Sequence, residues 1–497
     1  QHHRSTGGAA VGQWLPDQSD LGNSGVLEAK NVYPAARGYR PARDMSQISG
    51  AADAYIRGIY ATHDASDTVQ LFAGDSTKTY KYDASDSSLA NVSKSGNYTL
   101  DSDDKWKFVQ FGEYVIGASG YNQILQQYQI GTSSLFADIS GAPATKHMAV
   151  VRDFVVCGNV SYGGTNYQER LYWSAINDSQ SWTIGTDQSD IQDIPDSGKI
   201  TAVIGGQTGT VLLERGIARI EYVGTPLIFT VERVETNNGC EIPGSVVALG
   251  STAVFYLSPN GFFMFDGSRS VPIGSEKVDK WFYDNFNTAF PERMTAAVDP
   301  NNQVVCWSFV SNESNDGEPD KILVYNYAVG KWSLIELSHE SLGTVMIPGY
   351  SLEQLDNINT NMDSMTTSFD SPLYKGESFV LGGSKDQKIQ SFTGDILDAT
   401  IISKEFEVAP LRSSVINSIT PYVTAKNPAV QPTLSISVGS RSRQIDDVNF
   451  TSAGAITADN LCNVRSSGRY HRVKVETTGD FRYALGIDVD AKPLGRR

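Results

Sequence analysis

Val254-Phe255-Tyr256-Leu257-Ser258-Pro259-Asn260-Gly261-Phe262-Phe263-Met264-Phe265-Asp266-Gly267 sets two short apolar strands on either side of a tight turn, with a second turn directly behind. Asn-Gly and Asp-Gly are hairpin signals because these residues tolerate positive φ. Two such turns within about ten residues suit a small, tightly wound sheet better than a long open one. Related phrases, rich in β-branched and aromatic residues and closed by polar turns, recur over residues 55–92, 106–139, 147–184, 199–235, 245–274, 294–337 and, more loosely, 342–392. Their spacing of about 35 to 50 residues is that of four-stranded blades. The chain is therefore expected to be all-β, a β-propeller of about seven blades whose ring leaves only short, protected sheet edges.

Residues 1–50 lack this periodicity. Asn31-Val32-Tyr33-Pro34-Ala35-Ala36-Arg37-Gly38-Tyr39-Arg40-Pro41 reads as extended backbone punctuated by proline and glycine, an N-terminal arm leading into a propeller over 51–394. The polar stretch 354–370 suits a long loop, either a contact site for a neighbouring subunit or a disordered segment. From about Gly394 the strands lengthen, as in Thr400-Ile401-Ile402-Ser403-Lys404-Glu405-Phe406-Glu407-Val408 and Thr433-Leu434-Ser435-Ile436-Ser437-Val438. Residues 395–497 are read as a second, sandwich-like β domain. In its last hairpin, expected around Thr477-Thr478-Gly479-Asp480, Val473 and Val475 alternate with Arg472 and Lys474, and Leu485, Ile487 and Val489 with Gly486, Asp488 and Asp490.

The formal net charge of −16 argues against a free-standing nucleic-acid binder, which needs a basic face. It does not exclude a DNA conduit, since acidic residues lining a channel would repel phosphates and keep DNA from sticking. Charge spread over the surface for solubility is the competing reading. Residues 463–497 run the other way, with eight Lys or Arg against four acids. Arg469, His471, Arg472, Lys474, Arg496 and Arg497 are the candidate docking residues for another subunit or an adaptor, against the alternative of a solvated strand face with cross-strand ion pairs. No apolar run approaches the roughly 20 residues needed to span a bilayer, and a soluble chain is expected. The segment Gln1-His2-His3-Arg4-Ser5-Thr6-Gly7-Gly8 has no apolar core of a secretory signal. Cys157, Cys240, Cys306 and Cys462 are far apart and read as buried free thiols.

No catalytic, cofactor or metal motif stands out. A nucleophile elbow, zinc-binding His pair, Walker loop and dinucleotide fingerprint are all missing, and the six histidines are scattered. Asp64-Ala65-Ser66-Asp67, Asp83-Ala84-Ser85-Asp86 and Asn312-Glu313-Ser314-Asn315-Asp316-Gly317 crowd oxygen ligands without the spacing of a calcium loop, and are read as polar turns. Ser174-Ala175-Ile176-Asn177-Asp178-Ser179-Gln180-Ser181-Trp182 is a degenerate Asp-box of the kind found in sialidase-type propellers, with Ala175, Asn177 and Ser179 at the Ser, Asp and Gly places. Even an intact Asp-box is a structural turn.

Gly38-Tyr39-Arg40-Pro41, Trp106 with Phe108-Val109-Gln110-Phe111-Gly112, Ala149-Val150-Val151-Arg152-Asp153-Phe154-Val155, Leu171-Tyr172-Trp173-Ser174 with Trp182, and Asn260-Gly261-Phe262-Phe263 follow one another along the chain. Pro272-Ile273-Gly274 with Glu276-Lys277-Val278-Asp279, Tyr325-Asn326-Tyr327 with Trp332-Ser333, Gly468-Arg469-Tyr470-His471-Arg472-Val473 and Gly495-Arg496-Arg497 complete the order. In this series the chain resembles the propeller-containing nozzle, or packaged-DNA stabilisation, proteins of short-tailed double-stranded DNA phages. The resemblance implies a virion structural protein, assembled in the host cytoplasm into the tail, and not an enzyme. It implies a homo-oligomeric ring of six subunits below the portal and adaptor, touching other tail proteins and passing double-stranded DNA without reading its sequence. No catalytic residue or cofactor comes with it. The rival expectation is a glycan-binding or glycan-cleaving tail protein, with Trp173, Trp182 and Trp332 stacking on sugars; a propeller scaffold that binds another protein is the third.

Overall fold

The computed structural model describes residues 5–10, 12–250, 253–347 and 377–494. Seven antiparallel blades, each with four strands of its own phrase or ring, follow the seven phrases, and Gly120–Ile124 adds a fifth strand to the third. Blade one runs from Gly58–His63 to Ser88–Asn91, blade two from Lys107–Phe111 to Ala137–Asp138, and blade three from Ala144–Val151 to Asp190–Asp193. Blade four spans Ile200–Ile204 to Ile228–Glu235, blade five Val247–Leu249 to Ser270–Pro272, and blade six Thr295–Asp299 to Lys331–Glu336. Blade seven contains Ser341–Ile347, Glu377–Lys385 and Lys388–Ser391, and takes its outer strand, Ser46–Ala51, from the N-terminal side of the ring. The inner strand Ser341–Ile347 lies beside Gly58–His63, so the ring closes. The polar stretch 354–370 lies outside the described residues.

The alternation of each strand puts apolar side chains on both blade faces, and every gap between neighbouring blades holds its own core. Phe72, Trp106 and Phe108 fill the gap between blades one and two; Phe154, Trp173 and Phe229 fill that between three and four. Between blades five and six Phe262 packs 4.8 Å from Trp307 and 5.4 Å from Trp332, ring centre to ring centre. Both indole N–H groups are satisfied, Trp307 donating to the Ser245 carbonyl at 2.9 Å and Trp332 to that of Ile273 at 3.1 Å.

In the stretch that decides the fold, the turn differs from the expected Asn-Gly hairpin. Ser258 pairs with Gly261, so Pro259 and Asn260 are the turn residues. Proline's fixed φ suits the first of them. Gly261, at φ 117°, is instead the first residue of the next strand, where a Cβ would come 2.1 Å from the Asp279 carboxylate.

The C-terminal residues form a sandwich whose two sheets enclose Ile416, Ile419, Ile436, Val438, Val473, Val475, Ile487 and Val489. The expected last hairpin is not one. Tyr470–Thr478 pairs with Thr433–Arg441 and Ala399–Ser403, whereas Phe481–Pro493 pairs with Ser414–Ala425, so the turn at Gly479 is an arch between opposite sheets. Leu485, expected inside with Ile487 and Val489, is 38% exposed. A bulge between the Tyr422–Gly486 and Val423–Ala484 pairs shifts the alternation there, and Ala484 takes the inward place.

The arm is built into both parts. Val26–Lys30 lies between the outer strand of blade six, Lys331–Glu336, which it meets in parallel at Lys30 and Leu334, and the sandwich strand Ala399–Ser403, which it meets antiparallel. Propeller and sandwich thereby share one nine-stranded sheet. Trp14, Val26, Tyr39, Phe481 and Ala484 continue the core of blades five and six into the joint. Asn31, at φ 59°, ties it: its amide donates to the Leu334 carbonyl at 2.7 Å, its Nδ2 to the Asp398 carbonyl at 2.8 Å, and its Oδ1 accepts the Glu336 amide at 2.9 Å. Asn31→Ala removes both side-chain bonds and puts an ordinary residue in the left-handed region. A loss of about 2–4 kcal/mol is expected, measured by urea unfolding.

Candidate functional site

The basic C-terminal residues do not gather into a free patch. Arg469 pairs with Glu407 at 2.6 Å, and Lys474 with Glu476 at 2.9 Å while lying over the Phe450 ring. Arg472 reaches Asp20 of the arm and Glu405. Glu405, only 2% exposed, also takes both branches of Arg441 at 2.7 Å, a bidentate pair that repays part of its desolvation. His471 lies in the interior, its Nε2 2.7 Å from Ser414 Oγ and its Nδ1 2.8 Å from Ser440 Oγ. Arg469, Arg472 and Lys474 thus meet acids of this same chain, Glu407, Glu405, Asp20 and Glu476, and His471 meets two serines, pairings that net charge along the sequence does not reveal. Arg496 and Arg497 lie outside the described residues.

Trp173, Trp182 and Trp332 are at most 3% exposed, so none presents a face for a sugar to stack on. The degenerate Asp-box folds as a tight turn, with the Ala175 amide donating to the Ser181 carbonyl at 2.8 Å and Trp182 Nε1 to the Ser179 carbonyl at 2.9 Å. Trp182 then packs edge-on against Tyr172. The acidic clusters fold as turns too: Asp64 Oδ1 accepts the amides of Ser66 and Thr68, Asp83 Oδ1 that of Ser85, and Asp316 Oδ1 that of Glu318. All four cysteines are free and buried, and burial raises each thiol.

Two adjoining cavities lie on the propeller axis. A cavity of about 450 Å³ opens beside the starts of the inner strands of blades two, three and four, and a second of about 210 Å³ adjoins it toward blades one, six and seven. The larger is polar, with Lys146 held by Asp104 at 3.0 Å and Asp103 at 3.2 Å, and Lys199 by Glu214 at 3.2 Å. Asn159 accepts from the Tyr121 hydroxyl and donates to the Ile200 carbonyl, fixing the wall between blades three and four. Burial, together with the charges of Lys107, Lys146 and Lys199, holds His147 down to about 3. Among the described residues no group of three His, Cys, Asp or Glu is placed to hold a metal ion. Sequence reading missed this site because its residues come from different repeats. The available signal was a lysine at or just before the first strand of successive phrases, at 107, 146 and 199.

No family model and no curated protein matches the sequence. Among solved structures, the chain is similar to a protein described as the extracellular domain of a hybrid two component system from B. thetaiotaomicron, with 12% identity and a TM-score of 0.40 over 84% of this chain and 47% of that one. The chain therefore spans about half the length of that domain. It is also similar to the Neurospora crassa Pan2 WD40 domain, with 8% identity and a TM-score of 0.37 over 61% of this chain and 89% of that one. A quinonprotein alcohol dehydrogenase-like protein from Bacteroides thetaiotaomicron shares 13% identity, with a TM-score of 0.35 over 56% of this chain and 66% of that one.

Burial holds His471 down to about 4, below the ordinary 6.5 of an exposed histidine. A depressed histidine stays neutral in the fold while the unfolded chain takes up the proton, so its contribution is full above pH 6.5 and is lost as pH falls toward 4. Urea unfolding at pH 7 and 4.5 is expected to show a loss of about 2–3 kcal/mol from this residue. His471→Gln should reduce the difference between the two pH values by that amount.

Proposed function

We propose that the chain is a virion structural protein, the subunit of a tail nozzle or hub that forms the exit channel for a packaged genome. The observation that supports this reading most directly is the joint, where one continuous sheet and one aromatic core bind propeller and sandwich into a single stiff unit. Such a unit suits a wall that holds its shape while DNA passes. The ordered phrases shared with phage nozzle proteins supply the class, and with it the ring of six copies, the portal-adaptor neighbour and a location in the virion tail.

A ring requires head-to-tail contacts between unlike faces that close by rotation, and each subunit then offers two different surfaces. The conduit in that arrangement is the space between copies, because each propeller axis holds only the small polar cavities described above. Contact with passing DNA is expected to be weak and independent of sequence, as suits an acidic protein. The sugar-binding alternative gains no support from the buried tryptophans.

Particles assembled without this protein are expected to lose their genome after packaging, read as DNA retained per particle and as infectivity. Retention and infectivity equal to those of complete particles would overturn the reading. Images of the native particle should show the chain encircling the tail axis rather than projecting as a fibre.

A further inference from the structure

The two axial cavities share Lys105, Lys107 and Gly244 in their walls, which makes these residues the constriction between them. Lys105 Nζ donates to the Met294 carbonyl at 2.6 Å. Arg293, the residue before Met294, lays its guanidinium 4.3 Å over the ring of Tyr55, which lines the smaller cavity. Its Nη1 is buried with no hydrogen-bond partner. Lys107 has neither an ion pair nor a hydrogen bond among the described residues, although Lys146 and Lys199 in the same cavity each have a carboxylate. Glu241 and Glu292 are the remaining acids of the wall, and among the described residues neither forms an ion pair with Lys105 or Lys107.

Lys105, half-buried, and Lys107, exposed, are neighbouring cations without an ion pair among the described residues, and they repel each other. Burial, with the added charge of Lys107, pulls Lys105 down to about 7, and the charge of Glu292 offsets only part of this. A multi-oxygen anion would relieve the repulsion. It accepts from ammonium donors that approach from different sides. The cavities are far too small for a nucleic-acid duplex.

We propose that the constriction of the propeller axis is a binding site for a small tetrahedral oxyanion of the phosphate class, held by Lys105 and Lys107. The site is independent of the channel between subunits.

Titration calorimetry of the full chain with inorganic phosphate, at constant ionic strength and pH 6.5, is expected to show one saturable site per chain, and phosphate should raise the melting temperature. Lys107→Met is expected to weaken binding by about tenfold or more. Lys280→Met, which removes an exposed ammonium paired only with Asp284, should leave it unchanged. Absence of saturable binding to the wild-type chain, or equal binding to Lys107→Met, overturns the proposal. Should Lys107→Met fail to fold, the wild-type chain soaked with tungstate gives the answer: density between Lys105 and Lys107 supports the site, and density elsewhere or none removes it.

Discussion

Everything in this molecule depends on how Val26–Lys30 is held. A blade's outer strand ordinarily ends a sheet and leaves a row of unpaired amides and carbonyls. Here the outer strand of blade six is covered by Val26–Lys30, and the far edge of that strand is covered in turn by the sandwich. The parallel contact is short, a single Lys30–Leu334 pair, so the hydrogen bonds of Asn31 and the burial of Trp14 and Tyr39 carry much of the joint. Gly38 shows how closely the pieces approach. At φ 72° it sits where a Cβ would come 1.9 Å from the Ala484 carbonyl, which only glycine allows.

The helix Asp279–Asn285 is positioned from the same region. Its amides at Lys280 and Trp281 donate to Asp17 of the arm, at 2.9 and 2.7 Å, so the cap of a propeller helix comes from more than 260 residues away. The ion-pair group of Asp20, Glu405, Arg441 and Arg472 repeats the pattern on the sandwich side. Propeller, arm and sandwich therefore share polar contacts as well as apolar ones, and relative motion of the two halves would expose both.

Local chemistry made the blades legible in the sequence. Short aromatic and β-branched runs between turn residues mark strands wherever pairing is between sequence neighbours, as in blades one to six. The arm was read as mere extended backbone because its partners lie hundreds of residues away, and no local pattern reports them. The last sandwich strands show the same limit: alternation correctly placed Val473, Val475, Ile487 and Val489 inside, yet could not say that the two strands belong to opposite sheets. The basic C-terminal residues were visible as charge, but their acids, Glu405, Glu407 and Asp20, are near only in space. The acidic composition has a local origin in part. Asp266 accepts the amides of Ser268 and Arg269, and a chain that closes many turns with aspartate in this way gains negative charge from its turn chemistry alone.

The outer strand of blade seven comes from Ser46–Ala51 and pairs with Lys388–Ser391. During synthesis from the N-terminus, this strand emerges before any blade exists and finds its partner only after about 340 further residues have been made. Val26–Lys30 waits longer still, for Ala399–Ser403. Six blades can stack as they are completed, while Ser46–Ala51 and Val26–Lys30 still wait for their late partners. The growing chain is therefore most open to mispairing with its own nascent copies until the ring is sealed, and the strand that seals it is made before every other strand of the ring.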